Sequence, residues 1–368
     1  MGFNCGIVGL PNVGKSTLFN ALTSTQAAQA ANYPFCTIEP NIGRVAVPDP
    51  RLDVLTKLSE SKQTIFTQLE FVDIAGLVRG ASRGEGLGNQ FLASIREVDA
   101  IVHVLRCFED TDITHVEGSI DPVRDAQTIE TELMLADLDS LERRIVPFEK
   151  KAKSGEKDAK VVYGVMKDVL DALNAGKPAR VVSYAGDEER EKIYKQLFLL
   201  TSKPVLYVCN VDEASAATGN DFSKRVFELA EKEGNQAVVV SAAIEAEVAQ
   251  LTDPAEQKDF LETLGLSETG LNRVIAAGYK LLNLKTFFTT GPKESRAWTI
   301  KDGMTAPQAA GVIHSDFERG FIRAEIISYQ DFVECKSEAK ARECGKLRAE
   351  GKAYVMQDGD ICHFLFNV

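Results

Sequence analysis

The sequence predicts an α/β protein with a doubly wound, mostly parallel sheet, followed by a second, smaller β-rich domain. Over the first 280 residues, short apolar segments rich in β-branched residues alternate with helical segments, as buried parallel strands and their connections do. From residue 281 onward, the sequence changes to aromatic, alternating segments separated by turn residues, which is typical of a small mixed β domain.

The first predicted strand, residues 3–8, leads into the glycine-rich segment GLPNVGKST, after which a helix is predicted. The stretch from Gly9 to Ser16 fits GxxxxGK[ST], in which backbone N–H groups surround phosphates, the lysine reaches the β and γ oxygens and the hydroxyl binds Mg²⁺. The N-terminal amides of the following helix favour an anion there. We therefore predict a nucleoside triphosphate site with Lys15 as a catalytic residue. The phosphate-binding residues are expected to be Asn12, Val13, Gly14, Lys15, Ser16 and Thr17.

The second predicted strand, residues 68–74, ends in DIAG, which has the form DxxG. Asp73 is expected to orient Mg²⁺, and the N–H of Gly76 is expected to approach the γ-phosphate. A lone DxxG is a weak signal, but its position one strand after a phosphate loop makes it informative. Thr37 lies between the two motifs and is expected to close over the metal as the first switch. The predicted cofactor is Mg²⁺, with Ser16, Thr37 and Asp73 as its ligands.

Three further strands, predicted at residues 100–108, 204–210 and 236–241, complete the sheet. A long stretch between the first two of these carries no strand signal and repeats apolar residues at roughly helical spacing, namely Ile129, Leu133, Leu138, Leu141 and Ile145. We therefore predict a helical insertion within the sheet domain.

Two basic stretches stand out in an acidic chain of net charge −12. Residues 143–160 carry seven Lys/Arg and three Asp/Glu, and either form a solvated hairpin tip or contact RNA phosphates or a partner. Near the C-terminus, docking on RNA or ribosomal protein and a solvated helix are equal alternatives, because acidic residues interleave with the basic ones. The basic residues concerned are Lys336, Lys340, Arg342, Lys346, Arg348 and Lys352.

Cysteine usage and hydropathy indicate the cellular setting. The seven cysteines contain no CxxC pair, so we interpret them as reduced residues and predict no zinc site. The sequence shows no signal peptide and no uncharged apolar run long enough to span a membrane. We therefore expect a cytoplasmic protein without a membrane partner.

Taken together, the motifs resemble those of the Obg-related family known as YchF or Obg-like ATPase, within the translation-factor-like GTPases. The resemblance covers nearly the whole chain, and it rests on GLPNVGKST, NYPFCTIEPN, PDPRLD, DIAGLVRGASRGEGLGNQFL, the tetrad NVDE and a C-terminal segment similar to a TGS domain. It implies an Obg-type G domain with a coiled-coil-like helical insertion and a ubiquitin-like β-grasp TGS domain. It also implies a preference for ATP over GTP and association with ribosomes.

On this basis we expect the G domain at residues 1–125 and 200–280, the helical insertion at 126–199 and the TGS domain at 281–368. The expected protein is a monomeric, ribosome-associated ATPase that slowly forms ADP and phosphate and regulates translation or the stress response. It would contact the ribosome or rRNA through the TGS and helical domains. Two alternatives are an Obg-group GTPase of ribosome assembly and a nucleotide-gated protein-binding module with incidental hydrolysis.

Base preference depends on the tetrad NVDE, which stands where guanine-specific sites have NKxD. The carboxylate that would accept two hydrogen bonds from guanine belongs here to Glu213, and its extra methylene misplaces it, which leaves buried groups unpaired at a cost of about 1–3 kcal/mol. Asn210 and the backbone of Val211 could instead meet adenine, with Phe108 as an apolar neighbour. Ser241 lies in a sequence that resembles the SAK base loop without its lysine.

Hydrolysis requires a group that positions water, and the residue after DxxG is Leu77, which cannot hydrogen-bond. His115, which follows the third predicted strand, is our candidate for this catalytic role. The other candidates are Arg79, Arg83 and Asn89. Asn12 resembles the asparagine of NTPases that place K⁺ beside the phosphates, so K⁺ is a candidate second cofactor. A turn-stabilising asparagine is the alternative.

Overall fold

The structure is a computed structural model that describes residues 3–30, 42–74, 87–110, 115 and 118–367. Its strands are β1 (Asn4–Val8), β2 (Ile42–Ala46), β3 (Thr64–Ile65), β4 (Gln68–Asp73), β5 (Ala100–Arg106), β6 (Val205–Asn210), β7 (Gln236–Val240), β8 (Leu284–Thr290), β9 (Ser295–Lys301), β10 (Phe321–Ser328), β11 (Arg348–Glu350) and β12 (Asp360–Phe366). Its helices are α1 (Lys15–Ala30), α2 (Pro50–Leu58), α3 (Leu87–Glu97), α4 (Pro122–Lys153), α5 (Lys157–Asn174), α6 (Glu188–Gln196), α7 (Asp221–Glu233), α8 (Ala242–Val248), α9 (Pro254–Thr263), α10 (Gly270–Leu281), α11 (Ala306–Ile313), α12 (Ser315–Arg319), α13 (Tyr329–Cys335) and α14 (Glu338–Glu343). None of the helices in this described part is both long and apolar enough to cross a bilayer.

The larger of two compact units consists of Asn4–Gly43 and Glu70–Val274. Five strands lie there in the order β4-β1-β5-β6-β7, and their pairings are parallel. Every residue of β5 and β6 is buried, as expected for central strands covered on both faces. This confirms the predicted doubly wound sheet. Because parallel strands end at one edge, the residues that follow β1, β4, β5, β6 and β7 come together there.

Between β5 and β6, the chain is helical, as predicted. Asp121 caps the start of α4 by accepting a hydrogen bond from the backbone of Arg124. Three residues join α4 to α5, and the two helices pack around buried Leu141 and Val165. Buried Asp137 of α4 accepts hydrogen bonds from the backbone N–H groups of Leu200 and Thr201 at 2.9 and 2.8 Å, which fixes the return of the chain to β6.

The smaller unit consists of Met1–Phe3, Arg44–Leu69 and Ile275–Val368. Its sheet has the order β11-β10-β12-β8-β9-β3. The strands β8 and β9 are antiparallel, as are β10 and β12, whereas β12 runs parallel to β8. Residues of α11 pack with one face of the sheet in a core around Phe287, and residues of α2, α13 and α14 pack in a second core around Phe288. The parallel pairing of β8 with β12, with α11 packed on the sheet, is consistent with the predicted β-grasp domain.

The segment 44–69 packs differently from our prediction, which placed it in the nucleotide-binding domain. Leu52 and Leu55 of α2 are fully buried in the core around Phe288, and β3 pairs with β9. The segment is therefore part of the compact unit that contains the C-terminal residues. The sequence could not predict this packing, because amphipathic spacing marks a buried face without showing which sheet it covers.

Ion pairs of Arg51 link α2 to the loop that precedes β12. The Arg51 guanidinium binds the Asp49 carboxylate at 2.7 Å and the Asp358 carboxylate at 2.6 Å, and it lies 5.1 Å from the Phe288 ring centre. Asp358 also accepts a hydrogen bond from the backbone N–H of Thr286 at 2.9 Å. The motif PDPRLD, conspicuous in the sequence, thus acts in the packing of this unit.

We expect Arg51→Ala to lower the free energy of unfolding of the smaller unit by about 1–2 kcal/mol, because both carboxylates lose a charged partner. Urea unfolding followed by the fluorescence of Trp298, the one tryptophan of the chain, measures this. Lys57→Ala on the same helix removes an exposed cation and is the matched control. Equal unfolding midpoints for the two variants would contradict the assigned role.

Candidate nucleotide-binding site

The loop between β1 and α1 has a backbone that only a few residue types adopt easily. Asn12 and Gly14 have φ angles of 65° and 90°, in the left-handed region. A Cβ atom on Gly14 would overlap the side-chain nitrogen of Asn210, so this position requires glycine. The loop leads directly into α1 at Lys15, where the first N–H groups of the helix have no carbonyl partner within the helix, an arrangement that favours an anion.

Lys15 is paired with Asp73 of the neighbouring strand. Its ammonium group forms an ion pair with the Asp73 carboxylate, and the two side chains are only 11% and 18% exposed. The pairing follows from the sheet register, in which Ile7 of β1 lies opposite Asp73 of β4. A bound triphosphate therefore competes with Asp73 for the lysine, and a metal ion competes with the lysine for Asp73.

The oxygen atoms at this edge suit Mg²⁺. Ser16 is exposed in the first turn of α1. The Asp73 carboxylate is partly exposed at the end of β4, the strand next to β1 in the sheet. Hydroxyl and carboxylate oxygens are the donors that Mg²⁺ accepts, and it commonly uses few protein ligands together with phosphate and water. No group of three His, Cys, Asp or Glu side chains within the described ranges could hold a metal. The predicted ligand Thr37 and the phosphate contact Gly76 lie outside the described residues.

Asn210, at the end of β6, ties together three loops at the edge of the sheet. Its side-chain nitrogen donates to the carbonyl of Val13 at 2.9 Å, and its side-chain oxygen accepts from the N–H of Ala242 at 2.9 Å. Its own carbonyl accepts from the N–H of Cys107 at 2.8 Å. Asn210 is 5% exposed, so these bonds are made in a dry environment. The phosphate loop and the start of α8 therefore depend on one side chain, and the backbone carbonyl of the same residue holds the residue after β5.

This arrangement corrects one step of the base-recognition argument. The sequence suggested that Asn210 and the backbone of Val211 meet adenine. In the structure, the N–H of Val211 donates instead to the carbonyl of Val240 at 2.9 Å, and the Val211 side chain is buried. The bond from Asn210 to Val13 uses one of its two amide N–H groups, which leaves adenine recognition by Asn210 a prediction.

A buried arginine supports the residue predicted to lie beside the base. The Arg106 guanidinium is 4.7 Å from the Phe108 ring centre and donates to the carbonyls of Phe108 and Asp110 at 3.2 and 3.1 Å. Arg106 is 1% exposed, whereas Phe108 is partly exposed. The arginine thus holds the loop after β5. No sequence pattern predicts this role, because Arg106 sits inside an apolar strand pattern.

Two other predicted base contacts differ in their surroundings. The Ser241 hydroxyl is buried, and no hydrogen-bond partner for it exists among the described residues. A buried polar atom of this kind is costly unless a ligand or water satisfies it. Glu213 is exposed at the start of a short helical turn after β6, so its carboxylate is accessible from solvent.

His115 is held by a buried hydrogen bond. Its Nε2 atom lies 2.9 Å from a carboxylate oxygen of Asp125, in the first turn of α4, and Arg124 binds the other oxygen at 2.9 Å. His115 is 7% exposed. The contact orients the ring, and the role of His115 in positioning water stays a prediction. The other residues considered for positioning water lie outside the described part of the chain. They are Leu77, Arg79 and Arg83, together with the side chain of Asn89.

We expect Asn210→Ala to weaken binding of ATP and GTP alike by at least about tenfold, because the buried Val13 carbonyl and Ala242 N–H lose their partners. A change in loop geometry affects both nucleotides, whereas loss of a base contact affects one. Titration with fluorescent analogues of both nucleotides measures this. Asn235→Ala, in the turn after α7, is the control, and selective loss of one nucleotide would show that Asn210 reads the base.

Comparison with known proteins agrees with this geometry. Residues 4–144 match a family model described as a 50S ribosome-binding GTPase, and residues 284–367 match a model named for the C-terminal region of YchF GTPases and described as a protein of unknown function. The chain is 59% identical to the ribosome-binding ATPase YchF of Haemophilus ducreyi and 54% identical to that of Bacillus subtilis, over 100% of both sequences in each case.

Solved structures show the same relationship. The YchF GTPase of Schizosaccharomyces pombe superposes with a TM-score of 0.89 at 39% identity, covering 99% of this chain and 98% of that one. A GTP-binding protein from Pyrococcus horikoshii, at 21% identity and a TM-score of 0.61, shares the fold.

Proposed function

Because the chain belongs to the YchF family, we propose that this nucleoside triphosphatase is a ribosome-associated enzyme that prefers ATP to GTP. It slowly forms ADP and phosphate in the cytoplasm, as a monomer, and its nucleotide state regulates translation or the stress response. The observation that carries the ATP preference is the base side of the site. An exposed Glu213 replaces the aspartate that guanine requires, and buried Val211 replaces the lysine.

The residues that follow the strands have separate roles in binding the phosphates, holding the metal and positioning water. The amides of residues 12–17 bind the phosphates, and Lys15 neutralises the β and γ oxygens after it leaves Asp73. Ser16 and Asp73 would hold Mg²⁺, which supplies positive charge to the phosphates when bound. Asn210 keeps the phosphate loop in its binding shape. The oriented ring of His115 would position the attacking water.

Asn12 is exposed in the loop, as a residue beside a K⁺ ion would be. We propose K⁺ as a second cation on the resemblance of the loop sequence. Hydrolysis rates in K⁺ and Na⁺ at equal ionic strength test this, and equal rates would leave Asn12 with a role in the turn.

Contact with ribosomal RNA is better supported at the helical insertion than near the C-terminus. Three of the C-terminal cations are engaged within the smaller unit: Arg342 with Glu325, Lys346 with Asp331 and Arg348 with Glu350. The turn between α4 and α5 instead presents exposed lysines, of which Lys153 pairs with Glu149. We call this cluster the lysine tip; it consists of Lys150, Lys151, Lys153, Lys157 and Lys160.

Reversing the charge of Lys150, Lys151 and Lys157 to glutamate is expected to weaken co-sedimentation with ribosomes and to lower the slope of log affinity against log salt by about 2–3. Each lysine that contacts a phosphate releases counterions, so its loss reduces the salt dependence. Lys224→Glu with Lys232→Glu, on α7, is the matched control. An unchanged slope would place the RNA contact elsewhere.

Turnover of ATP with and without ribosomes tests the proposed function as a whole. A ribosome-associated ATPase predicts clear stimulation by ribosomes. A nucleotide-gated binding module predicts the same slow rate in both conditions.

A GTPase is the second candidate, because the relative from Schizosaccharomyces pombe carries that name. Stimulation of GTP turnover in place of ATP turnover would favour it.

A further inference from the structure

Two cysteines lie side by side at the surface of the smaller unit. Cys335 is the last residue of α13, and Cys344 directly follows α14. The two thiols lie close enough to interact, Cys335 is partly exposed and Cys344 is exposed. We propose that Cys335 and Cys344 form a modification site, a dithiol that peroxide converts into a reversible intramolecular disulfide.

A side-chain ion pair holds the segments that carry the two thiols together, independently of the thiols. Asp331 and Cys335 are one turn apart on α13 and therefore share a face. Lys346, two residues after Cys344, pairs with Asp331 at 2.8 Å. The chain after α14 is thus held against the face of α13 that carries Cys335, two residues beyond Cys344.

The helices α13 and α14, which carry the thiols, both pack on the core around Phe288. Phe332 of α13 and Ala341 of α14 are buried in the same core. The backbone N–H of Lys346 donates to the carbonyl of Ala341 at 2.8 Å, which closes the end of α14. A disulfide between Cys335 and Cys344 would therefore join two segments that already pack together.

The other described cysteines are unsuited to this chemistry. Cys107 and Cys209 are also in contact, but both are 0% exposed. Cys5 and Cys362 are buried as well. An oxidant in solution reaches a surface thiolate far more readily than a buried thiol, so the pair at α13 and α14 differs from these in access. Cys36 lies outside the described residues.

The reaction balances with hydrogen peroxide as the oxidant. The Cys344 thiolate attacks one peroxide oxygen, an S–O bond forms, the O–O bond breaks, and the released hydroxide takes a proton to become water. Cys335 then attacks the Cys344 sulfur, the S–S bond forms, and the S–O bond breaks with release of a second water. The two thiols lose two electrons, which the peroxide gains. Cys344 is exposed and Cys335 is only partly exposed, so the oxidant reaches Cys344 first and Cys344 is the first nucleophile.

The disulfide has a structural consequence near a cavity. A cavity of about 330 Å³ in this unit is lined in part by Phe332, Glu338 and Leu347, which lie on or beside α13 and α14. A disulfide between the ends of α13 and α14 would restrict the movement of these lining residues. Oxidation is therefore expected to shift the urea midpoint of the smaller unit upward, and reduction is expected to restore it.

Peptide mapping of the full-length chain tests the proposal. A Cys36→Ser background excludes reaction at that thiol. After peroxide treatment, alkylation of remaining thiols and trypsin digestion, residues 324–336 should be joined to residues 343–346, and the joined peptide should vanish with dithiothreitol. Cys335→Ser is the matched control. It should lose the link, accumulate higher oxides on Cys344 and show no upward shift of the urea midpoint.

Two outcomes would overturn the proposal. One is oxidation of Cys344 to sulfinic acid while Cys335 remains alkylatable. The other is a link between two chains, detected as mixed peptides after oxidation of isotopically light and heavy protein together. Neither outcome depends on nucleotide turnover or on ribosomes.

Discussion

Replacement of Lys15 by alanine is expected to lower the rate of ATP hydrolysis by about 10²- to 10³-fold, the effect of removing one fixed charge donor from a transition state. Hydrolysis spreads negative charge over the γ-phosphate oxygens, and Lys15 is the cation placed at the phosphate loop to meet it. The variant also frees Asp73 from its ion pair. Mg²⁺ binding is therefore expected to persist while turnover collapses, and single-turnover hydrolysis with measured nucleotide affinity separates the two effects.

Lys232→Ala, an exposed lysine of α7, serves as the control for loss of a positive charge in the same unit. A circular dichroism melt of each variant shows whether the fold is retained. Turnover by a folded Lys15→Ala protein within a factor of two of the parent rate would contradict the assignment of the phosphate loop.

Exchange of the tetrad NVDE toward the guanine pattern NKxD is expected to change the ratio of GTP to ATP affinity by about 10- to 100-fold in favour of GTP. This corresponds to about 1.4–2.8 kcal/mol, the range for pairing a polar group that is otherwise unpaired. The order of substitution follows from the structure. Glu213 is exposed, so Glu213→Asp leaves the packing intact, whereas Val211 is buried and Val211→Lys is added second.

Glu213→Gln is the matched control, because it keeps the length of the side chain and removes its charge. It should bind GTP no better than the parent does. If Glu213→Asp with Val211→Lys folds and its nucleotide ratio is unchanged, the tetrad does not set base preference in this chain.

The strands and the phosphate loop could be predicted because their signals are local. The strands β1, β4, β5, β6 and β7 begin and end within two residues of the predicted bounds, since apolar runs and turn residues mark them directly. The glycines and Lys15 stand at fixed spacing within one loop. The helical insertion likewise follows from a repeat within a continuous stretch.

Contacts between distant parts of the chain could not be predicted in this way. Asn210 bonds to Val13 and Ala242, and nothing in either neighbouring sequence states that these loops meet. The pairing of His115 with Asp125 and the packing of residues 44–69 with the C-terminal residues depend in the same way on three-dimensional proximity. A sequence pattern shows which residues are buried or turned, but it does not show their partners.

Competition between ATP and GTP for the unmodified protein tests the central claim most directly. A fluorescent ATP analogue is bound in the presence of Mg²⁺ and displaced by each unlabelled nucleotide in turn. We predict that displacement requires at least about tenfold more GTP than ATP, since the site lacks the aspartate that pairs with guanine. Displacement by GTP at equal or lower concentration than ATP would contradict the account.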